Sequence, residues 1–152
     1  MKSLLSIALL ILSTASLYSQ NNNPKYDSTL AKKLGADDYG MKRYILVILK
    51  TGENKRSDKA YVDSCFAGHM ANIGQLVKIN KLLVAGPLVK NEKTYRGIFI
   101  LNVTTEEEAK ELLKTDAAIN EKILEPEIYK WYGSAALSEY LDASDKIWKS
   151  MH

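Results

Sequence analysis

Six consecutive apolar residues, Tyr44 to Leu49, constrain the fold more than any other part of this 152-residue chain. An unbroken apolar run lacks the alternation of a strand that faces water on one side. It therefore predicts a strand that is buried on both faces. A chain with such a strand must supply a packing layer on each side of its sheet.

A long amphipathic helix is predicted over residues 59–80. Apolar side chains recur there every three or four residues from Val62 onward, so one face of the helix packs on the sheet. His69 stands in this stripe, between Phe66 and Ile73. Burying an imidazole costs free energy unless it has a hydrogen-bond partner. His69 is therefore either a core histidine with an internal partner or a functional group.

The remaining pattern predicts three more strands, over 82–88, 95–103 and 123–132. A second helix begins after Thr104 or Thr105, which can cap it. Pro126 restricts the first half of the last strand to a sheet edge or a bulge. The order βαββαβ predicts an α+β fold, the ferredoxin-like sandwich.

The helices of this arrangement cover only one face of the sheet. The first and third strands, 44–49 and 98–101, are apolar on both sides. A second copy of the same sheet is the simplest cover for the other face, so we expect a homodimer.

The chain divides into four segments by composition. Residues 1–19 form a secretory signal peptide, with Lys2 before a short apolar run. This run is too short to span a membrane, although an uncleaved anchor is the alternative. An extension follows over 20–41, then the α+β domain over 42–133 and a helical tail over 134–152. The mature protein is expected in the periplasm or outside the cell, without membrane contact.

Composition and charge exclude several classes of function. Hydrophobic residues are 46% and charged residues 26% of the chain, and the net charge is +3. The sequence has no basic patch with interleaved aromatics, so nothing in it indicates nucleic-acid binding. Cys65 is the only cysteine, so no internal disulfide can form, and a packed side chain is favoured over a nucleophile. His69 has no second histidine or cysteine at ligand spacing, so we expect neither a metal nor a cofactor.

Two further features give His69 a chemical context. Asp116 follows the second helix, which lies beside the first in this topology. A carboxylate on one ring nitrogen fixes the tautomer and leaves the other nitrogen as a general base. Asp116 as an N-cap for 117–120 is an equally good interpretation. Gly86 and Pro87 end the second strand, where the backbone can approach a ligand, so we expect them to bind one.

A set of short motifs carries a resemblance to a known family: Gly68-His69-Met70-Ala71-Asn72-Ile73, Lys81-Leu82-Leu83-Val84-Ala85-Gly86-Pro87, Arg96-Gly97-Ile98-Phe99, Thr115-Asp116 and Trp131-Tyr132-Gly133. Over about residues 42–133 the chain resembles the YCII-related (YciI-like) family. Residues 34–41 resemble the entry segment of its exported bacterial members.

This resemblance implies a dimeric α+β barrel and a His/Asp dyad that falls on His69 and Asp116. One branch of the family carries out dehydrochlorination during aromatic ring degradation, and more distant folds of this kind isomerise muconolactones. The chain departs from the family pattern at Ala117, where proline is usual, and at Glu121, near a usual small residue.

Two functional hypotheses follow from these features. In the first, the protein is a lyase-like or isomerase-like enzyme that acts on a small cyclic or aromatic compound through His69 and Asp116. In the second, it is a non-catalytic module, either a small-ligand binder or a structural dimer. A route from solvent to the imidazole would favour the first hypothesis, and a sealed imidazole would favour the second.

Overall fold

The computed structural model describes residues 23–149, so the predicted signal peptide lies outside the described residues. The helices are α1 Ser28–Leu34, α2 Lys59–Lys78, α3 Glu106–Leu113, α4 Ala117–Asn120 and α5 Leu141–Ile147, with a 3₁₀ helix at Ala135–Tyr140. The strands are β1 Met41–Thr51, β2 Leu82–Pro87, β3 Tyr95–Leu101 and β4 Leu124–Ser134. Within the described residues no helix is long and apolar enough to cross a membrane.

The four strands form one antiparallel sheet in the order β2-β3-β1-β4. This order and the alternation of strands and helices confirm the predicted α+β, ferredoxin-like fold. The apolar strand β1 lies inside the sheet, between β3 and β4. Pro126 lies on β4, an edge strand, which tolerates a residue without a backbone N–H.

Helix α2 begins and ends close to its predicted bounds. The Asp58 side chain caps it by accepting a hydrogen bond from the Tyr61 N–H at 2.8 Å. The helix ends at Lys78, before Asn80 takes a left-handed conformation with φ of 56°. Its buried residues face one side of the sheet and pack over β1 and β3 in the main core; those strands contribute Ile45, Val47, Leu49, Phe99 and Leu101.

The other face of the sheet is partly covered by the chain itself. Leu137 and Leu141, from the C-terminal segment, pack against Tyr44, Leu83 and Ile100. A second copy was expected at this face, and the chain's own tail covers part of it instead. Away from the tail, the half-buried Ile48 and Ile98 and the exposed Tyr129 share this face.

The Trp131-Tyr132-Gly133 motif has a packing explanation. The Trp131 ring packs close to Tyr44, with centroids 5.7 Å apart. A Cβ placed on Gly133 would lie 2.2 Å from the edge of the indole. Gly133 therefore leaves the space that Trp131 occupies, and any larger residue would displace the ring.

Asp37 attaches the N-terminal extension to β4. Its carboxylate accepts hydrogen bonds from the Tyr132 hydroxyl and from the N–H groups of Tyr39 and Met41. The Tyr132 hydroxyl is the main reason that the pKa of Asp37 lies below its ordinary value of 3.8, and the two N–H groups add to it.

Replacing Tyr132 by phenylalanine should raise the pKa of Asp37 part of the way back, because the two backbone donors remain. A lowered pKa in the folded state means that Asp37 stabilises the fold above pH 3.8 and loses this effect as pH falls through its folded value. An NMR titration of the Asp37 carboxyl carbon in both proteins measures the shift. An identical midpoint in Tyr132→Phe would show that the hydroxyl does not bind this carboxylate in solution.

Candidate active site

The His69 ring is held between two aromatic side chains. It stacks on Phe99 of β3, with centroids 5.7 Å apart and planes at 19°, and Phe66 meets it edge-on at 6.1 Å. Only 8% of the residue is exposed. The apolar spacing of α2 places His69 in this position, because it faces the sheet as Phe66 does.

Asp116 is the hydrogen-bond partner that a buried imidazole requires. Its Oδ2 lies 2.6 Å from His69 Nδ1, and the residue is fully buried. Its Oδ1 accepts from the backbone N–H groups of Ala118 and Ile119, at 3.0 and 3.2 Å. The two sequence-based interpretations of Asp116 therefore hold together, since one carboxylate oxygen caps α4 and the other binds the histidine.

This contact assigns the proton on the neutral His69 ring. An ionised carboxylate only accepts hydrogen bonds, so Nδ1 carries the proton and Nε2 keeps its lone pair. Within residues 23–149, Nε2 makes no hydrogen bond, and no buried side-chain nitrogen or oxygen lacks a partner. Nε2 is therefore not sealed in the core but reaches solvent.

Close packing fixes α4, and with it Asp116, against α2. A Cβ placed on Gly68 would lie 2.7 Å from the Cβ of Ala117. At the other end of α4, the Tyr61 hydroxyl donates to Glu121 Oε2 at 2.6 Å. A residue larger than glycine at position 68 would push the two helices apart and lengthen the His69–Asp116 contact.

The departures from the family pattern leave Asp116 in place. Ala117 is the first residue of α4, where the N–H has no partner within the helix. Proline is favoured at this position because it lacks that N–H, and alanine, a strong helix former, is compatible with it. Glu121, at the end of α4, adds the contact to Tyr61 described above.

Gly86 and Pro87 lie along the strand edge beside Phe99. Ala85 pairs with Phe99, and Gly86 and Pro87 follow it along β2. Ala85 and Pro87 are exposed although they share a face with the core side chain of Phe99. The sheet is therefore open to solvent at this edge, next to the residue on which the imidazole stacks.

Asn72 and Thr115 extend the His69–Asp116 contact, and the sequence analysis did not single them out. Asn72 is buried, and its Nδ2 lies 3.5 Å from Asp116 Oδ2. The Thr115 hydroxyl lies 2.7 Å from Asn72 Oδ1. The spacing of the sequence could have identified Asn72, because it lies one helical turn after His69 on the same face of α2.

Two open cavities lie elsewhere on the molecule. One, of about 700 Å³, lies where the N-terminal extension meets β1 and β4 and includes Asp37, Arg43 and Tyr132. The other, of about 280 Å³, lies between the start of β4 and the loop after β1, with Glu53 and Lys122 in its lining. In the described part of the chain, no three His, Cys, Asp or Glu side chains group as metal ligands. Cys65 is buried in the core.

No known family and no curated protein matches the chain. Among solved structures, it is similar to the 5-chloro-2-hydroxyhydroquinone dehydrochlorinase (TftG) from Burkholderia phenoliruptrix AC1100, solved in complex with 2,5-dihydroxybenzoquinone. The two share 16% sequence identity and a TM-score of 0.43, over 57% of this chain and 92% of the other. This likeness concerns the fold alone.

Proposed function

We propose that this protein is an exported YciI-like enzyme in which His69 is a general base and Asp116 orients it. One observation carries the proposal. The buried Asp116 carboxylate binds Nδ1, while Nε2 keeps a lone pair and reaches solvent. A purely structural histidine has no need of an unpaired nitrogen at the surface of the core, whereas a general base does.

The chemistry that suits this pair is elimination or isomerisation of a small cyclic or aromatic carbonyl compound. Nε2 takes a proton from a carbon of the substrate, and the imidazolium that forms is stabilised by the Asp116 carboxylate. The electron pair of the broken C–H bond forms a new double bond. In elimination, formation of this double bond expels a leaving group as an anion. In isomerisation, Nε2–H returns the proton to a different carbon.

The second candidate function is a non-catalytic binding or structural module. The low exposure of His69 favours it, because a ligand must reach an imidazole that is only 8% exposed. The two cavities described above are lined by other residues and not by His69 or Asp116. In this alternative the dyad serves to satisfy a buried polar pair.

Deuterium exchange distinguishes the two functions, because elimination and isomerisation share a proton-abstraction step. The mature protein is incubated in D₂O with a panel of cyclic enols and lactones, and loss of the carbon-bound proton is followed by ¹H NMR. The proposal expects catalysed exchange for at least one compound, abolished in His69→Gln and retained in the surface control Asp58→Asn. No exchange across the panel, or undiminished exchange in His69→Gln, would favour the binding module.

We also propose that the protein forms a homodimer through the part of the sheet face that the tail leaves uncovered. Half-buried Ile48 and Ile98 lie there beside the exposed Tyr129. Sedimentation at micromolar concentration should give a dimer mass for the wild type and a monomer mass for Ile98→Glu. Val89→Glu, at a residue that is 88% exposed in the β2–β3 loop, should remain dimeric. A monomeric wild type would contradict the proposal.

Export to the periplasm or beyond the cell is the corresponding proposal for localisation, and it rests on the pattern of residues 1–19. Sequencing the N-terminus of protein from the native host tests it. We expect a start between residues 16 and 21. An intact Met1 would indicate an uncleaved anchor.

A further inference from the structure

We infer that Asn72 is a positioning residue for the His69–Asp116 pair and that Thr115 sets the orientation of its amide. The inference rests on the proposed function of His69. Asp116 is completely buried, so bulk water does not reach its carboxylate. The protein groups around it therefore supply its hydrogen-bond donors.

The contacts of Asp116 account for its full hydrogen-bonding capacity. An ionised carboxylate offers about four lone-pair sites. Two N–H groups of α4 use the sites on Oδ1, and His69 Nδ1 and Asn72 Nδ2 lie at Oδ2. Asn72 thus supplies the fourth donor and restrains Oδ2, the oxygen that does not cap α4. Without it, Oδ2 is held by the imidazole alone.

The orientation of the Asn72 amide decides whether it helps or opposes this arrangement. With Nδ2 toward Asp116, the amide donates to the carboxylate. With the amide turned over, Oδ1 would face Oδ2 and two acceptors would repel each other. Thr115 selects the first orientation, because its hydroxyl lies 2.7 Å from Asn72 Oδ1 and donates to it.

Thr115 has a second possible acceptor for its single proton. The backbone carbonyl oxygen of Leu112 also lies 2.7 Å from Oγ1. The hydroxyl can therefore turn away from Asn72, which would leave the amide without its orienting donor. Because serine carries the same hydroxyl and valine does not, Thr115→Ser and Thr115→Val form a matched pair for this position.

The test uses ¹⁵N NMR of the His69 ring in the full mature protein. The chain has two histidines, so in a His152→Gln background the Nδ1 and Nε2 signals come from the His69 ring alone. At a pH where the ring is neutral, wild type and Thr115→Ser should hold the proton on Nδ1. In Thr115→Val and Asn72→Leu the carboxylate is less restrained and can turn away from Nδ1, so we expect the ratio of the two tautomers to move toward Nε2–H. The shift reaches roughly tenfold if the net contribution of the His69–Asp116 hydrogen bond is lost. Gln75→Leu, at an exposed amide on the same helix, should leave the ratio unchanged.

Asp116→Asn separates failure of this inference from failure of the proposed function. If that variant changes the ring spectrum while Thr115→Val and Asn72→Leu leave it as in wild type, Asn72 only fills space and the inference is overturned. If Asp116→Asn leaves the spectrum unchanged as well, Asp116 does not bind Nδ1 in solution, and both the dyad and its positioning residue are contradicted.

Discussion

Replacing Asp116 by alanine is expected to lower the free energy of unfolding by about 3 kcal/mol, because it removes two separate sets of hydrogen bonds. The α4 N-terminus loses its cap, since both capping bonds end on Oδ1. The buried His69 Nδ1 and Asn72 amide lose the acceptor that Oδ2 provides. Urea denaturation of the purified variant measures this cost.

Asp58→Ala is the matched control for the capping part alone. Asp58 caps α2 with one hydrogen bond, from the Tyr61 N–H, and faces solvent. Its loss should cost about 1 kcal/mol. If the two variants lose the same stability, the carboxylate of Asp116 acts as a helix cap and its contact with His69 contributes nothing.

His69→Ala is expected to cost about 2–4 kcal/mol, because it leaves a cavity between two aromatic rings and an unpaired buried carboxylate. The ring contacts Phe66 and Phe99 as well as Asp116. From the sequence, a functional histidine and a core histidine were alternative interpretations of His69. The structure places the ring in the core and leaves its Nε2 in contact with solvent, so the two interpretations are compatible.

A double-mutant cycle with His69→Ala and Asp116→Ala checks that the two residues act on each other. Residues in direct contact are coupled. The double variant should therefore lose less stability than the sum of the two single losses, by about 1 kcal/mol or more. Urea denaturation of the wild type, both single variants and the double variant supplies the four values. Strictly additive losses would mean that the 2.6 Å contact carries no net stability.

The fold was predictable from the sequence because its signals are local. The unbroken apolar run of β1, the three- and four-residue spacing of α2 and the cap at Thr105 each point to one element. Their order then leaves few arrangements of a single sheet. Pro126 marked β4 as an edge strand because a missing N–H is tolerated there.

The site was predictable only in part, because its geometry depends on contacts between distant residues. His69 was visible as a lone titratable group in an apolar stripe, and Asp116 as a carboxylate after the second helix. The Asp116 carboxylate caps α4 and also binds the imidazole. This double contact depends on how α4 packs on α2 at Gly68. The roles of Asn72 and Thr115 have the same origin, since the two are 43 residues apart in sequence.

The position of the tail was not predictable, for a related reason. The sequence predicted a helical tail over 134–152 but not the surface that it meets. In the structure Leu137 and Leu141 cover Tyr44, Leu83 and Ile100. The chain's own C-terminal segment thus covers part of the second sheet face and leaves the part around Ile98 uncovered.

In the proposed function, Asp116 holds the proton of the neutral His69 ring on Nδ1 and leaves Nε2 as a base. ¹⁵N NMR of the ring, recorded for wild type and Asp116→Asn at a pH where the ring is neutral, measures where that proton lies. We predict a protonated Nδ1 and a bare Nε2 in the wild type. In Asp116→Asn the amide can donate to Nδ1, so the proton should move to Nε2. A wild-type ring that already carries its proton on Nε2 would contradict the account.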